Sequence, residues 1–317
     1  MTEHTATGNS WTARGARLGL VRLPLATRNA LFGAVMMAPS MLFFLLLVGY
    51  PLLQTIWISL HSMSTLTRQG DFVGLANYAS LLRSEDFWNA FRNSIFWTTG
   101  SLFVQVTLGV SFALVLNGAL FMRPLARALV LFPYLISTVV AVLIWQWLFN
   151  DLYGYLNFLL MNLGIVDRPV NWLGQSPNAM LSVIAIAGWK HFPFVTLAVL
   201  ARLQSIPPTL YDAARIDGAS AWSRFWDITL PQLKPVLAAV ILLRAIWDFK
   251  DFDLIYMFTG GGPRASTETL PLMIYREVFP KLSIGSGAAV AMIMLAIMMV
   301  FFWFYARTID REEASRK

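Results

Sequence analysis

The chain has 317 residues, 57% of them hydrophobic and 13% charged, with a net charge of +7 and no cysteine. An ordinary soluble domain carries about 25% charged residues, so a soluble enzyme of this composition would have to hide more apolar surface than its core can hold. The absence of cysteine excludes disulfides, a thiolate nucleophile and a thiolate metal site. The basic excess sits in short loops between apolar runs, where membrane topology explains it better than nucleic-acid binding does.

Residues 1–28 form a basic tail with Arg14, Arg17, Arg22 and Arg28. The apolar run that follows is too long for a signal-peptide core and lacks a convincing cleavage site, so it reads as a retained first span. Charged residues are absent from 29–67, 93–122, 128–150, 169–189 and 282–306. A bilayer span needs roughly 20 mostly apolar residues. The runs predict spans at 33–60, 93–117, 125–149, 179–203, 235–258 and 283–306. The chain is therefore read as all-α, a polytopic membrane protein with six transmembrane helices in a domain over 29–308. A membrane barrel would alternate polar and apolar residues in roughly ten-residue segments, which these runs do not.

An even number of spans puts both termini on one side. The N-terminal tail, the 118–127 turn, Arg202 with the 209–235 segment, and the C-terminal end from Arg307 onward hold 14 basic residues; the opposite loops hold six. The positive-inside rule then places both termini and the 209–235 segment in the cytoplasm.

That segment, TLYDAARIDGASAWSRFWDITLPQLKP, carries three charges of each sign between long apolar runs. Pro207 and Pro208 end the fourth span. Thr209 stands three residues before Asp212 as in a capping box, with Asp in place of Glu or Gln. Gly218 suits a helix C-terminus. Ser220 can cap a second short helix from 221 to about 229, which Pro231 and Pro235 end before the fifth span opens. A solvated loop with an interfacial helix reads the same way; the other reading is a knob that docks a cytoplasmic partner.

Tyr211-Asp212-Ala213-Ala214-Arg215-Ile216-Asp217-Gly218-Ala219, followed by Phe225, Ile228, Leu230 and Pro231, resembles the EAA loop of membrane subunits of bacterial binding-protein-dependent ABC importers. Phe72-Val73-Gly74-Leu75-Ala76-Asn77-Tyr78, the Trp147-Leu148-Phe149 run with Gly154 and Asn157, and Phe252-Asp253-Leu254-Ile255-Tyr256 with Thr259-Gly260-Gly261-Gly262-Pro263 resemble its carbohydrate branch, the maltose and glycerol-3-phosphate permeases. The likeness covers about 35–307.

The resemblance implies a type I ABC importer permease fold in a bacterial inner membrane. It implies a heterodimer with a second permease subunit, two copies of a cytoplasmic ATPase and an extracytoplasmic solute-binding protein. It also implies that segment 205–231 couples to the ATPase through Tyr211, Asp212, Ala213, Ala214, Asp217, Gly218 and Ala219. Asp212 stands where the family has glutamate, one methylene shorter, and is expected to keep that residue's pairing with a base on the ATPase. ATP-Mg belongs to those partners: none of the five lysines follows a glycine, so a phosphate-cradling Gly-Lys loop is not encoded here.

The remaining signals are charges within spans. Each costs about 2.5–3.5 kcal/mol at a helix centre unless it pairs or faces a cavity. His4, His61 and His191 are too scattered for a metal site, and no nucleophile and base stand together. Arg244 with Asp248, and Lys250 with Asp253, can neutralise each other along a helix. Trp247 beside Arg244, Asp248 and Asp251 instead suggests a cavity in which an aromatic face and charged hydrogen-bonding groups hold a carbohydrate.

The family pattern places sugar-lining positions at Tyr134 and Thr138, at Lys190, His191 and Phe194, and at Arg244, Trp247, Asp248 and Asp251. Lys190, His191 and Arg244 make this set more basic than the maltose-type site, in the direction of an acid-substituted sugar. An ion-gradient transporter or channel is the alternative, with in-span Lys and Asp as ion relays. It leaves 209–235 unexplained.

Overall fold

The computed structural model describes residues 25–118 and 121–314, so the predicted N-terminal tail lies outside the described residues except for its last four positions. All regular elements among them are helical. The chain divides into two compact units, Met1–Gln54 and Thr55–Lys317. The first unit holds α1 (Leu25–Phe44), a π turn (Leu45–Gly49) and the start of α2 (Tyr50–Ser59). Pro39 lies inside α1. Phe32–Ser59 is long and apolar enough to cross a membrane, matching the first predicted span.

The second unit begins with the end of α2. The Phe72–Tyr78 motif then folds back on it and leads into α3 (Ala76–Arg83). Gly74 takes a left-handed φ of +56°. Asn77 Nδ2 donates to the Ser59 and His61 carbonyls at 2.8 and 3.0 Å, and the Tyr78 hydroxyl lies 2.7 Å from that of Ser59. The motif is thus a clasp that satisfies the orphan carbonyls at a helix end.

The centre of the unit is the pair α4 (Glu85–Asn117) and α8 (Asn178–Gln204), packed along their length. Their closeness depends on small residues, as in membrane helix pairs generally. A Cβ on Gly109 would stand 2.5 Å from Val195 Cβ, and one on Gly188 would stand 2.2 Å from Val104 Cγ1. Trp97 from α4 and Val183 and Ile186 from α8 are buried in the core beside Leu254 and Ile255.

The third span is not the straight helix expected over 125–149. It is two helices, α5 (Arg123–Leu135) and α6 (Thr138–Leu148), bent by 93°. Pro133 removes a backbone donor in the last turn of α5, and Ile136 and Ser137 are extended. Counted as one span, this pair makes six candidate spans among the described residues; otherwise there are five. After α6 comes α7 (Tyr155–Asn162), where Asn157 bonds Val170 O, Val170 N and Trp172 Nε1 at 2.9–3.1 Å and so folds the following loop down.

Beyond α8 lie α9 (Pro208–Ile216) and α10 (Ala221–Arg224), then a π turn (Phe225–Thr229) and α11 (Leu230–Phe249). The fifth span differs from the expected 235–258. Helix runs from Ala221 through the π turn to Phe249, so Pro231 and Pro235 lie within the span rather than ending the unit before it. The chain then breaks at Lys250 before α12 (Asp253–Thr259). Lys250 and Asp253 therefore do not share a helix, and no ion pair joins them among the described residues.

The Thr259–Pro263 turn leads to α13 (Leu270–Val278) and α14 (Ile284–Ala314), the last helix continuing past the expected end of the domain at 308. Gly260 and Gly261 are left-handed at φ +57° and +91°. Asn93 Nδ2 donates to Ala265 O and Glu268 O, both at 3.0 Å, and Ser94 Oγ accepts from Leu270 N at 2.8 Å. The glycine turn is thereby fastened to α4.

Candidate functional site

Two regions bring the predicted residues together. The first is the segment between α8 and α11. Its opening departs from the expected capping box: α9 begins at Pro208 with Pro207 as N-cap, and Thr209 makes no cap bond. Proline at the first helical position has its φ preset and no donor to lose, so it takes the start that Thr209 was expected to mark. Asp212 is left to pair with Arg215 at 3.2 Å, both side chains about two-thirds exposed (61% and 65%). Such a pair is worth little to stability and leaves the carboxylate open to a partner.

The Asp-Gly-Ala run closes α9. Gly218 at φ +77° lets Ala219 N reach Ala214 O at 2.8 Å and Gly218 N reach Arg215 O at 3.1 Å. This double bond pattern is a Schellman cap and satisfies the last carbonyls. Ser220 Oγ then accepts from Ser223 N at 3.1 Å, the predicted second cap. The second helix is not short, however; it continues into the fifth span.

The result is a rigid elbow. Ala213, Asp217 and Gly218 are exposed, Tyr211, Ala214 and Ala219 half-buried. Ile216 stands 87% exposed at the tip, an apolar contact not singled out from the sequence because its helical face became clear only with the Gly218 cap. Two ties anchor the elbow. Tyr211 and Thr229 hydroxyls lie 3.0 Å apart, and Arg202 on α8 donates to Gln232 O at 2.9 Å and Gln232 Oε1 at 2.6 Å. The elbow is thus hydrogen-bonded at its base, where the fourth and fifth spans are also tied to each other.

The second region is where α5, α8 and α11 meet. Tyr134, two residues before the break, sits edge-on to His191 and tilted to Phe194, each with centroids 6.4 Å apart. Phe194 meets Trp247 at 5.2 Å, and the Arg244 guanidinium lies 5.5 Å from the Trp247 ring. Tyr134 and Trp247 are exposed; His191, Phe194, Thr138 and Asp251 are half-buried. This is an aromatic shelf with a polar edge.

Within it, the charged residues separate into two kinds. Arg244 and Asp248 are both buried and paired. Gln105 from α4 completes them: Arg244 Nε donates to Gln105 Oε1 at 2.7 Å, and Gln105 Nε2 donates to Asp248 Oδ2 at 3.0 Å. Trp97 Nε1 donates to Asp248 O at 2.8 Å. The triad is closed on itself, so Arg244 holds α11 against α4. Gln105 was not read from the sequence, since an amide in an apolar run carries no spacing signal. Lys190, by contrast, donates among the described residues only to the Ile136 carbonyl at the bend, at 2.6 Å. Asp251 accepts from Leu254 N at 3.3 Å.

A groove of about 510 Å³ between α4, α11 and α14 is lined by Leu102, Ile241, Phe249 and Phe301 and is almost wholly apolar. Its lining includes none of the residues of the two regions above. Among the described residues, no three His, Asp or Glu side chains could hold a metal ion.

Residues 105–311 match the family described as the binding-protein-dependent transport system inner membrane component. The chain belongs to that family. It is 38% identical over 283 residues to the trehalose/maltose transport system permease protein of Thermococcus litoralis, covering 89% of this chain and 95% of the relative. It is 34% identical over 299 residues to the sulfoquinovosyl glycerol transport system permease protein of Agrobacterium fabrum, covering 92% and 96%. Its fold matches a crystal structure of a bacterial ABC transporter involved in the import of the acidic polysaccharide alginate, with a TM-score of 0.76, 23% identity, and 90% and 96% of the two chains covered. The protein is thus a multi-pass permease subunit of the inner membrane, with the type I importer fold.

Proposed function

We infer that this permease forms half of the translocation pathway of an ATP-driven importer for a saccharide or saccharide derivative, and that the 205–231 elbow couples it to a separate ATPase. The observation that carries the reading is the continuity of the elbow with two spans: α9 ends in a Schellman cap, and the helix that follows runs unbroken from Ala221 to Phe249. An isolated interfacial helix has no need of such a connection. The named relatives supply the substrate class, since both move saccharides or their derivatives.

The assembly is a heterodimer with a second permease subunit, two copies of a cytoplasmic ATPase that hold ATP-Mg, and an extracytoplasmic solute-binding protein. Both termini and the elbow face the cytoplasm. In the working cycle, ATP supplies closure of the ATPase pair. The exposed Asp212, with Ile216 and the small Ala213 face, seats in a groove of the ATPase. Movement of α9 passes through Tyr211–Thr229 and Arg202–Gln232 to α8 and α11, whose other parts carry the aromatic shelf. Tyr134, Phe194 and Trp247 take the apolar face of a sugar ring; Lys190, His191 and Asp251 supply polar contacts at its rim, and Thr138 flanks the bend.

Affinity purification of the tagged chain in mild detergent tests this. An ATPase in two copies with one distinct permease is the expected result. A chain that purifies without an ATPase, and still transports in an ion gradient, defeats the coupling reading in favour of an ion-driven transporter.

A further inference from the structure

Lys190 lies near the middle of α8 (Asn178–Gln204) and is 5% exposed. Among the described residues, no carboxylate lies within 4.0 Å of its ammonium. Its hydrogen bond goes to a neutral carbonyl, that of Ile136 in the two-residue break between α5 and α6. Asp251 is the acidic group that acts on its charge, from beyond ion-pair distance. The contrast with Arg244 is sharp, because that guanidinium is matched by Asp248 and Gln105.

A buried cation inside a membrane span is expensive unless an anion answers it. The carboxyl end of α5 answers in part, since the end of a helix carries about half a negative charge. The other ammonium protons remain available. We propose that Lys190 is the counter-cation for an anionic group, a carboxylate, sulfonate or phosphate, carried by the transported saccharide. This rests on the saccharide-importer reading above. The sugar ring lies on the shelf of Tyr134 and Trp247, both exposed. Asp251, near enough to act on the Lys190 charge, accepts ring hydroxyls. An anion takes the remaining ammonium protons while Ile136 O keeps its own, so the substrate binds beside the bend of the third span.

The test is uptake by cells expressing the complete transporter, with four labelled probes: a uronate-bearing disaccharide, a sulfonate-bearing glycoside, a phosphate-bearing glycoside and a neutral disaccharide. The wild type should take up at least one anionic probe, and the three anionic arms identify which acid group is used. Lys190→Met should lower that uptake roughly tenfold to hundredfold, the range for losing a hydrogen bond to a charged group. Lys190→Arg should restore much of it. Thermal stability and co-purification of the Lys190→Met complex separate selectivity from misfolding. Uptake of the neutral probe alone by the wild type overturns the assignment while leaving the importer reading intact. Equal loss of neutral and anionic uptake in a stable Lys190→Met complex also overturns it, and makes Lys190 a brace for the bend. Uptake of no saccharide overturns the importer reading itself, and the assignment with it.

Discussion

Arg244 shows how a charge inside a membrane protein can be met by partners from its own chain. Its guanidinium, the Asp248 carboxylate and the Gln105 amide form a closed buried triad. Removing one member of a buried pair costs about 3–5 kcal/mol, whereas replacing both by apolar groups of similar size is often neutral. Arg244→Met or Asp248→Leu alone should therefore lower the thermal midpoint of the purified protein strongly, and the double replacement should recover most of it. A double variant as unstable as the worse single would show that the triad is not a self-contained unit. The sequence revealed the helical spacing of Arg244 and Asp248 and so their mutual neutralisation; Gln105 was missed because it is distant in the chain and invisible to local periodicity. Glu268 offers a pH test. Burial pushes its carboxyl up from 4.5 to about 7, against the Arg276 guanidinium at 2.6 Å. A raised folded value means that the folded state holds the proton longer, so this contribution is full below about pH 4.5 and is lost as pH rises through about 7. Glu268→Gln should flatten the fall in thermal stability across that window. An unchanged slope would assign the pH dependence to other groups.

At the scale of elements, the elbow separates folding from function. Ser220→Ala removes the N-cap bond from Ser223 N and should cost about 1 kcal/mol, seen as a small drop in thermal midpoint. Asp212→Ala touches only an exposed pair and should leave stability unchanged while lowering coupled transport and ATPase stimulation. Loss of stability without loss of coupling in Asp212→Ala would make it a structural residue. The Asp217-Gly218-Ala219 cap and the Ser220 cap were legible because they depend on local chemistry. The start of α9 was misread because two signals competed, and Pro208 at the first helical position prevailed over the Thr209 box. The 93° bend of the third span was not legible beyond Pro133, since an apolar run of that length fits one straight helix and two short ones equally well. The limit of the fifth span was misplaced for a related reason: apolar residues continue through 254–258, and the break at Lys250 is set by tertiary packing of α12 against α6 and α8.

At the scale of the whole molecule, the sidedness of the membrane is the premise on which the importer reading stands, and the chain is well suited to testing it. It has no cysteine, so each introduced thiol reports alone. Arg168, in the loop after α7, and Asp217, in the elbow, are both exposed. The charge count puts the first outside and the second in the cytoplasm. In right-side-out vesicles, a membrane-impermeant maleimide should label Arg168→Cys and spare Asp217→Cys until the vesicles are opened. Inverted vesicles should give the reverse. Labelling of both from one side would mean an even number of crossings between them, so that α8, the one predicted span between the two positions, would not cross. Labelling with the sides exchanged would place the elbow outside, where no ATPase could reach Asp212, and the coupling mechanism would fail whatever the substrate.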